Sequence, residues 1–70
     1  MAPKEIIFMV EEAEEGGYDA HALGADIFTQ ADDLEELRAM VREAVEVHFE
    51  DEDRPQIIHL HFVRDEVLVA

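Results

Sequence analysis

The stretch that decides the fold is Thr29–Glu50, with the sequence TQADDLEELRAMVREAVEVHFE. Asp33 stands where a helix N-cap residue is expected, and Glu36 follows three residues later, where it can complete a capping box. We therefore predict a helix from Leu34 to about Glu50. One face of this helix collects mostly apolar positions, namely Leu34, Leu37, Val41, Ala44, Val45 and His48. Because a single helix cannot bury such a stripe by itself, the rest of the chain must supply a sheet for it to cover.

Four stretches of the remaining sequence have the pattern of strands. β-Branched and aromatic residues concentrate in them, and turn residues such as Gly16-Gly17 and Pro55 separate them. The predicted strands are Lys4–Glu12, Tyr18–Leu23, Asp26–Gln30 and Gln56–Val63, and a short terminal strand is predicted over Val67–Val69. The order β-β-β-α-β places the chain in the α+β class, as one domain over residues 1–70.

The connection through the helix predicts the order of the strands. A strand, a helix and a parallel strand in one sheet are connected in a right-handed sense, so we predict a single sheet of order 3-2-1-4 with the helix packed on one face. The residues expected beneath the helix are Ile6, Phe8, Val10, Tyr18, Ala20, Ile58, Leu60 and Phe62. The opposite face would expose Ile7, Met9, Leu23, Ile57 and Val63. Such a patch favours self-association. We predict a homodimer or larger oligomer whose interface includes Ile7, Met9, Ile57, His59, His61 and Val63.

The charge of the chain limits its partners. Nineteen acidic residues against five Lys and Arg make a formal net charge of −14. Such a surface repels nucleic acid, so direct binding of DNA or RNA is not expected, whereas a basic protein is attracted and steered. The same charge could simply keep a small protein in solution. No apolar run approaches transmembrane length, and the first four residues are too short and polar for a signal peptide. We therefore expect no membrane partner and a cytoplasmic location.

Histidines and carboxylates are the side chains that could carry chemistry. His59 and His61 alternate on one strand and share a face, where both imidazoles could reach one ion. No third ligand stands at a characteristic spacing, so we expect a solvated or interface pair and no metal. His48, on the apolar stripe of the helix, is expected at the edge of the core without a chemical role. The runs of Asp and Glu lie at turns, where they are usually solvated. The chain has no cysteine and no recognisable catalytic or phosphate-binding motif, so neither an enzyme nor a cofactor is predicted.

Three groups of residues carry a resemblance to a known family: Glu15-Gly16-Gly17-Tyr18-Asp19-Ala20, Thr29-Gln30-Ala31-Asp32-Asp33-Leu34-Glu35-Glu36-Leu37 and Arg42-Glu43-Ala44. In order and spacing they resemble the HicB-like antitoxins, with their acidic-Gly-Gly-Tyr-x-Ala turn, Thr-Gln-Gly-Asp-Thr-x-Glu-Glu helix start and later Glu-Ala. Ala31 stands where the family usually has glycine, and Asp33 replaces the capping threonine. The family's Pro-x-x-Pro-Gly segment after the second strand has no counterpart in Ala22–Asp26. Because the chain ends at Ala70, we expect a short form without the DNA-binding part of fuller members.

The resemblance implies a partial ribonuclease-H-like fold without nuclease activity, and a small, basic, RNA-cleaving partner of the HicA type. We therefore expect a non-catalytic antitoxin module whose contact with the toxin includes Glu11, Glu12, Glu14, Glu15 and Asp19, along with the exposed carboxylates of the helix. Two alternatives stay open. One is a stand-alone adapter dimer with a different protein partner, and the other is a metal-dependent nuclease built on the ribonuclease-H-like core.

Overall fold

The computed structural model describes residues 4–70, which form one four-stranded sheet with one helix on one of its faces. The first three residues, on which the expectation about a signal peptide partly rests, lie outside the described residues. The elements are β1 (Glu5–Glu12), β2 (Tyr18–Ala22), β3 (Phe28–Ala31), α1 (Leu34–His48) and β4 (Ile57–Val63). The strands lie in the order β3-β2-β1-β4, with β4 parallel to β1 and the other neighbours antiparallel. The predicted α+β class, strand order and single helix are confirmed.

The helix begins at the predicted cap. Asp33 has extended backbone angles (φ −142°, ψ 173°), and its Oδ1 accepts a hydrogen bond of 2.7 Å from the amide of Glu36. This bond satisfies one of the amides that the first turn leaves without a helical partner. At the other end the amide of Phe49 donates to the carbonyl of Val45, and α1 stops at His48, two residues before the predicted end.

The core lies between α1 and the inner face of β1, β2 and the chain around β3. Leu37, Val41 and Val45 are the buried residues of the helix. The buried sheet-side residues are Ile6, Phe8, Val10, Ala20, Ala22, Ile27, Thr29 and Ala31. Burial of the large apolar side chains is the main source of stability in a domain this small.

The inner face of β4 is only partly covered by the helix, which corrects the predicted core, although Ile58 and Leu60 still pack against it. Ile58 and Leu60 are only half-buried, and Phe62 is 52% exposed. The helix approaches β3 and β2 most closely. Only Asp32 and Asp33 separate β3 from α1, so the helix starts above β3. It continues over the inward-facing alanines of β2 and β3, because these small side chains let the helix approach the sheet.

Two further expectations are wrong. His48 is exposed at the end of the helix, with its ring centroid 4.9 Å from that of Phe49 in an edge-on arrangement, and so does not lie at the core edge. Val67–Val69 forms no strand. The last residue of β4, Val63, pairs with Glu11, and β1 ends one residue later at Glu12. Residues 67–69 therefore have no part of β1 beside them to pair with.

The one helix of residues 4–70 is too short and too polar to cross a membrane.

Candidate functional site

One end of the sheet gathers acidic side chains from several elements. β1 ends and β2 begins there, with Glu11 opposite Asp19 in the antiparallel register. The turn between the two strands is closed by a hydrogen bond of 3.0 Å from the amide of Ala13 to the carbonyl of Gly17. The end of β3 and the start of α1 lie at the same end of the sheet, and so does the end of β4. The fold therefore brings together acidic residues that are far apart in sequence.

Two neighbouring concavities, of about 450 and 910 Å³, lie at this end. The first lies between the β1-β2 turn and the start of α1, and the second lies between that turn and the segment after β4. Nine carboxylates line the two concavities, and we call this surface the acidic end: Glu11, Glu12, Glu14, Glu15, Asp19, Asp32, Glu36, Asp65 and Glu66. Arg64 is the only basic side chain among the described residues that line them.

The carboxylates of the acidic end have no counter-charge bound to them in the part of the chain that the structure describes. The ion pairs found there join Lys4 to Asp53, Arg54 to Asp51 and His59 to Glu5. All three pairs lie away from the acidic end. A group of like charges without counter-ions creates a strong local field, which attracts a cationic surface and repels an anionic one. The arrangement is therefore suited to a basic protein partner.

All five residues predicted for the partner contact lie at the acidic end: Glu11, Glu12, Glu14, Glu15 and Asp19. The structure adds Asp32 and Glu36 from the β3-α1 junction, and Asp65 and Glu66 from the segment after β4. These four residues were not named in the prediction, which started from the first turn. The signal was present in the predicted strand order, which places the ends of β1, β3 and β4 on one side of the sheet. Binding of a partner by these residues stays a prediction.

The histidines and carboxylates of the outer sheet face come together in a pair at most in the part of the chain that the structure describes. No three His, Asp or Glu side chains among residues 4–70 converge closely enough to hold a metal. His59 Nε2 lies 2.9 Å from Oε1 of Glu5, and both side chains are half-exposed. His61 lies on the same face, but the register sets Met9 between it and His21.

The outer face also carries the residues predicted for a dimer interface. Ile7 and Ile57 are 40% and 37% exposed, and Met9 and Val63 are half-buried. Polar groups interrupt this apolar surface, since His59 lies opposite Ile7 in the parallel register. The outer face is therefore a mixed surface, and a dimer interface on it stays a prediction.

Comparison with known proteins shows close relatives. The chain is 58% identical over 52 residues to a UPF0150 protein of Archaeoglobus fulgidus, an alignment that covers 74% of this chain and 77% of the relative. It is 47% identical over 62 residues to a UPF0150 protein of Thermotoga maritima, with 89% and 87% covered. No family model matches the chain, and no solved structure matches it. The name UPF0150 specifies neither an activity nor a partner.

Proposed function

The chain belongs to the UPF0150 family, and we propose that this member is a non-catalytic antitoxin module that binds and neutralises a small, basic, RNA-cleaving toxin of the HicA type. The observation that carries the proposal is the acidic end, where nine carboxylates line two adjacent concavities. The resemblance of residues 14–49 to the HicB-like antitoxins supplies the kind of partner. A protein that binds RNA presents the complementary positive surface.

The mechanism that we propose is occlusion. The carboxylates of the acidic end bind the positively charged surface of the toxin, which then can no longer bind RNA phosphates. The antitoxin itself makes or breaks no covalent bond. Opposite charges steer the two proteins together, so association should slow as salt screens the attraction, with a Debye length of about 10 Å at 0.1 M ionic strength. Any apolar part of the contact should persist at high salt.

The experiment is co-expression with a small, basic, RNA-cleaving protein of the HicA type, followed by pull-down and a growth test. Glu14→Gln, Glu15→Gln and Asp19→Asn together remove three charges from the acidic end and nearly preserve side-chain size. We expect this triple variant to weaken the complex at least about tenfold, because close charge pairs across an interface contribute roughly 1.5 kcal/mol or more each. The toxin should therefore inhibit the growth of cells that express this triple variant in place of the native chain.

The matched control removes three charges from loops at the opposite end of the sheet, with Asp26→Asn, Glu50→Gln and Glu52→Gln. We expect this variant to bind nearly as well as the native chain, and equal weakening by both triples would reject a specific role for the acidic end. If the native chain forms no complex and rescues no growth, the antitoxin proposal fails and an adapter with another protein partner replaces it. Hydrolysis of RNA by the chain alone, abolished by a chelator, would instead favour the metal-dependent nuclease.

We further propose a cytoplasmic location, where an RNA-cleaving toxin meets its substrate, and a homodimer or larger oligomer. The exposed apolar residues of the sheet and the small core support self-association. Analytical ultracentrifugation at micromolar concentration tests this, and a single species of 8.0 kDa would contradict it.

A further inference from the structure

β4 leaves an apolar groove open beside the helix. Arg38, Val41 and Arg42 line one side of this concavity of about 200 Å³, and Ile58 and Leu60 line the other. The groove exists because α1 lies over β2 and β3 and leaves the inner face of β4 only partly covered. We call this surface the β4 groove.

The outer edge of β4 is open along the groove. β4 is the last strand of the order β3-β2-β1-β4, and it pairs with β1 on one side. Its other side presents backbone amides and carbonyls that no strand among residues 4–70 pairs with. Phe62 continues the apolar row beyond the groove and is 52% exposed. An open edge with an apolar inner face is a template for an added strand.

The segment after β4, residues 64–70, has a composition that suits this template. Val67, Leu68 and Val69 are 81%, 82% and 96% exposed, and Asp65 and Glu66 precede them. Nothing in the described chain covers these three apolar side chains. Three consecutive apolar residues that are exposed to solvent, two of them β-branched, are typical of a strand whose neighbouring strand is missing.

The positive charges beside the β4 groove are complementary to this acidic segment and would repel a basic partner. Arg38 and Arg42 form no ion pair with any residue that the structure describes, whereas Lys4 and Arg54 are each paired with an aspartate. Two unpaired arginines beside an apolar groove form a basic spot in a chain of net charge −14. An acidic segment that ends in apolar residues is the complementary ligand, and this chain itself contains one.

We propose that the β4 groove binds residues 64–69 of a second copy of this chain, which add an antiparallel strand to the open edge of β4. Each copy donates its segment to the other, so one two-fold axis generates both contacts and the assembly closes as a dimer. The two sheets then join into one sheet of eight strands. The proposal rests on the self-association proposed above, but not on the binding of a toxin.

The alternation of side chains along β4 defines the register. Ile58 and Leu60 face inward, and in a segment that continues this alternation Glu66 and Leu68 face the same way. A two-fold axis at Val63 then places Leu68 opposite Ile58 and Glu66 opposite Leu60. This register covers the apolar row of β4 and brings the Glu66 carboxylate over the arginines of the groove.

A disulfide between copies tests the register directly, because the native chain has no cysteine. Ile58→Cys with Leu68→Cys should yield a covalent dimer on mild oxidation, since directly opposite residues have Cβ atoms about 4.5–5.5 Å apart. Ten residues of strand span about 33 Å, so the bond forms between copies and not within one. The matched control, Ile57→Cys with Leu68→Cys, puts the two thiols on opposite faces of the sheet and should stay monomeric on a denaturing gel.

A charge exchange tests the groove independently. Arg38→Glu with Arg42→Glu should raise the dissociation constant of the dimer about tenfold or more, as measured by analytical ultracentrifugation. Adding Glu66→Arg to that variant should recover most of the lost affinity. Damage to the helix alone would not be rescued by a change in the segment after β4, and circular dichroism checks that each variant is folded.

Three outcomes would overturn the proposal. The first is a monomer at micromolar concentration, and the second is a dimer that the Ile58-Leu68 cysteine pair does not link. The third is a dimer that Leu68→Asp leaves intact while Ile7→Asp dissociates it, which would place the interface on the outer face. Neutralisation of a toxin by a Leu68→Asp monomer would leave the proposed function standing, so the two proposals can fail separately.

Discussion

Gly17→Ala is the substitution whose cost the structure defines most sharply. Gly17 has φ +81°, and a Cβ on it would lie 2.5 Å from the carbonyl oxygen of Ala31. Ala31 is buried and lies opposite Tyr18 in the β2-β3 pair, so its backbone cannot move without disturbing that pair and the core. Gly16 is the matched control, because its φ is +100° and a Cβ there would meet nothing within 4 Å.

Two costs add at Gly17 and only one applies at Gly16. An alanine at positive φ costs roughly 1–2 kcal/mol at either position. The forced shift of buried backbone should add roughly 1–3 kcal/mol at Gly17, as overpacking does in cores. We therefore expect Gly16→Ala to lower the free energy of unfolding by about 1–2 kcal/mol and Gly17→Ala by about 2–5 kcal/mol. Because domains of this size have small reserves of stability, Gly17→Ala should be largely unfolded at moderate temperature.

Urea denaturation followed by circular dichroism measures both losses, at one fixed protein concentration so that self-association contributes equally. Thermal unfolding should show the same ranking, with roughly 4–8 °C per kcal/mol for a small domain. Asparagine separates the two costs, because it tolerates positive φ but still carries a Cβ. Gly16→Asn should therefore be milder than Gly17→Asn. Equal losses at the two glycines would refute the argument from the contact with Ala31.

The remaining predictions concern the helix and the histidines. Asp33→Ala should cost about 1 kcal/mol through the lost cap, and Leu37→Ala about 2–4 kcal/mol through a cavity in the core; if thermal unfolding shows Asp33→Ala to be the worse, the helix face is misplaced. Glu5→Gln should change stability by less than about 1 kcal/mol, because its pair with His59 is half-exposed; a larger loss in urea denaturation would contradict this. Elemental analysis of protein purified without an affinity tag should find no stoichiometric zinc or nickel at His59 and His61, since no third ligand converges on them.

Much of the fold follows from local patterns in the sequence. The cap at Asp33, the alternation along β1 and the paired glycines of the first turn each act over a few residues, and each appears in the structure where the pattern predicted it. Right-handed crossover then leaves one arrangement for β1, α1 and β4. The five carboxylates predicted for the partner contact lie together at the acidic end for the same reason, because four of them flank a single turn.

The sequence by itself therefore determined the four strands of the sheet, the helix, their order and the cap, because periodicity and capping are properties of neighbouring residues. Tertiary structure alone decided where the helix lies across the sheet. That position depends on the two-residue connection from β3 and on the small inward side chains Ala20, Ala22 and Ala31, which let the helix approach β2 and β3. The same position of the helix leaves the inner face of β4 only partly covered and exposes Phe62. It also joins Asp32 and Glu36 to the acidic end, because surfaces made of several elements exist only once their relative positions are set.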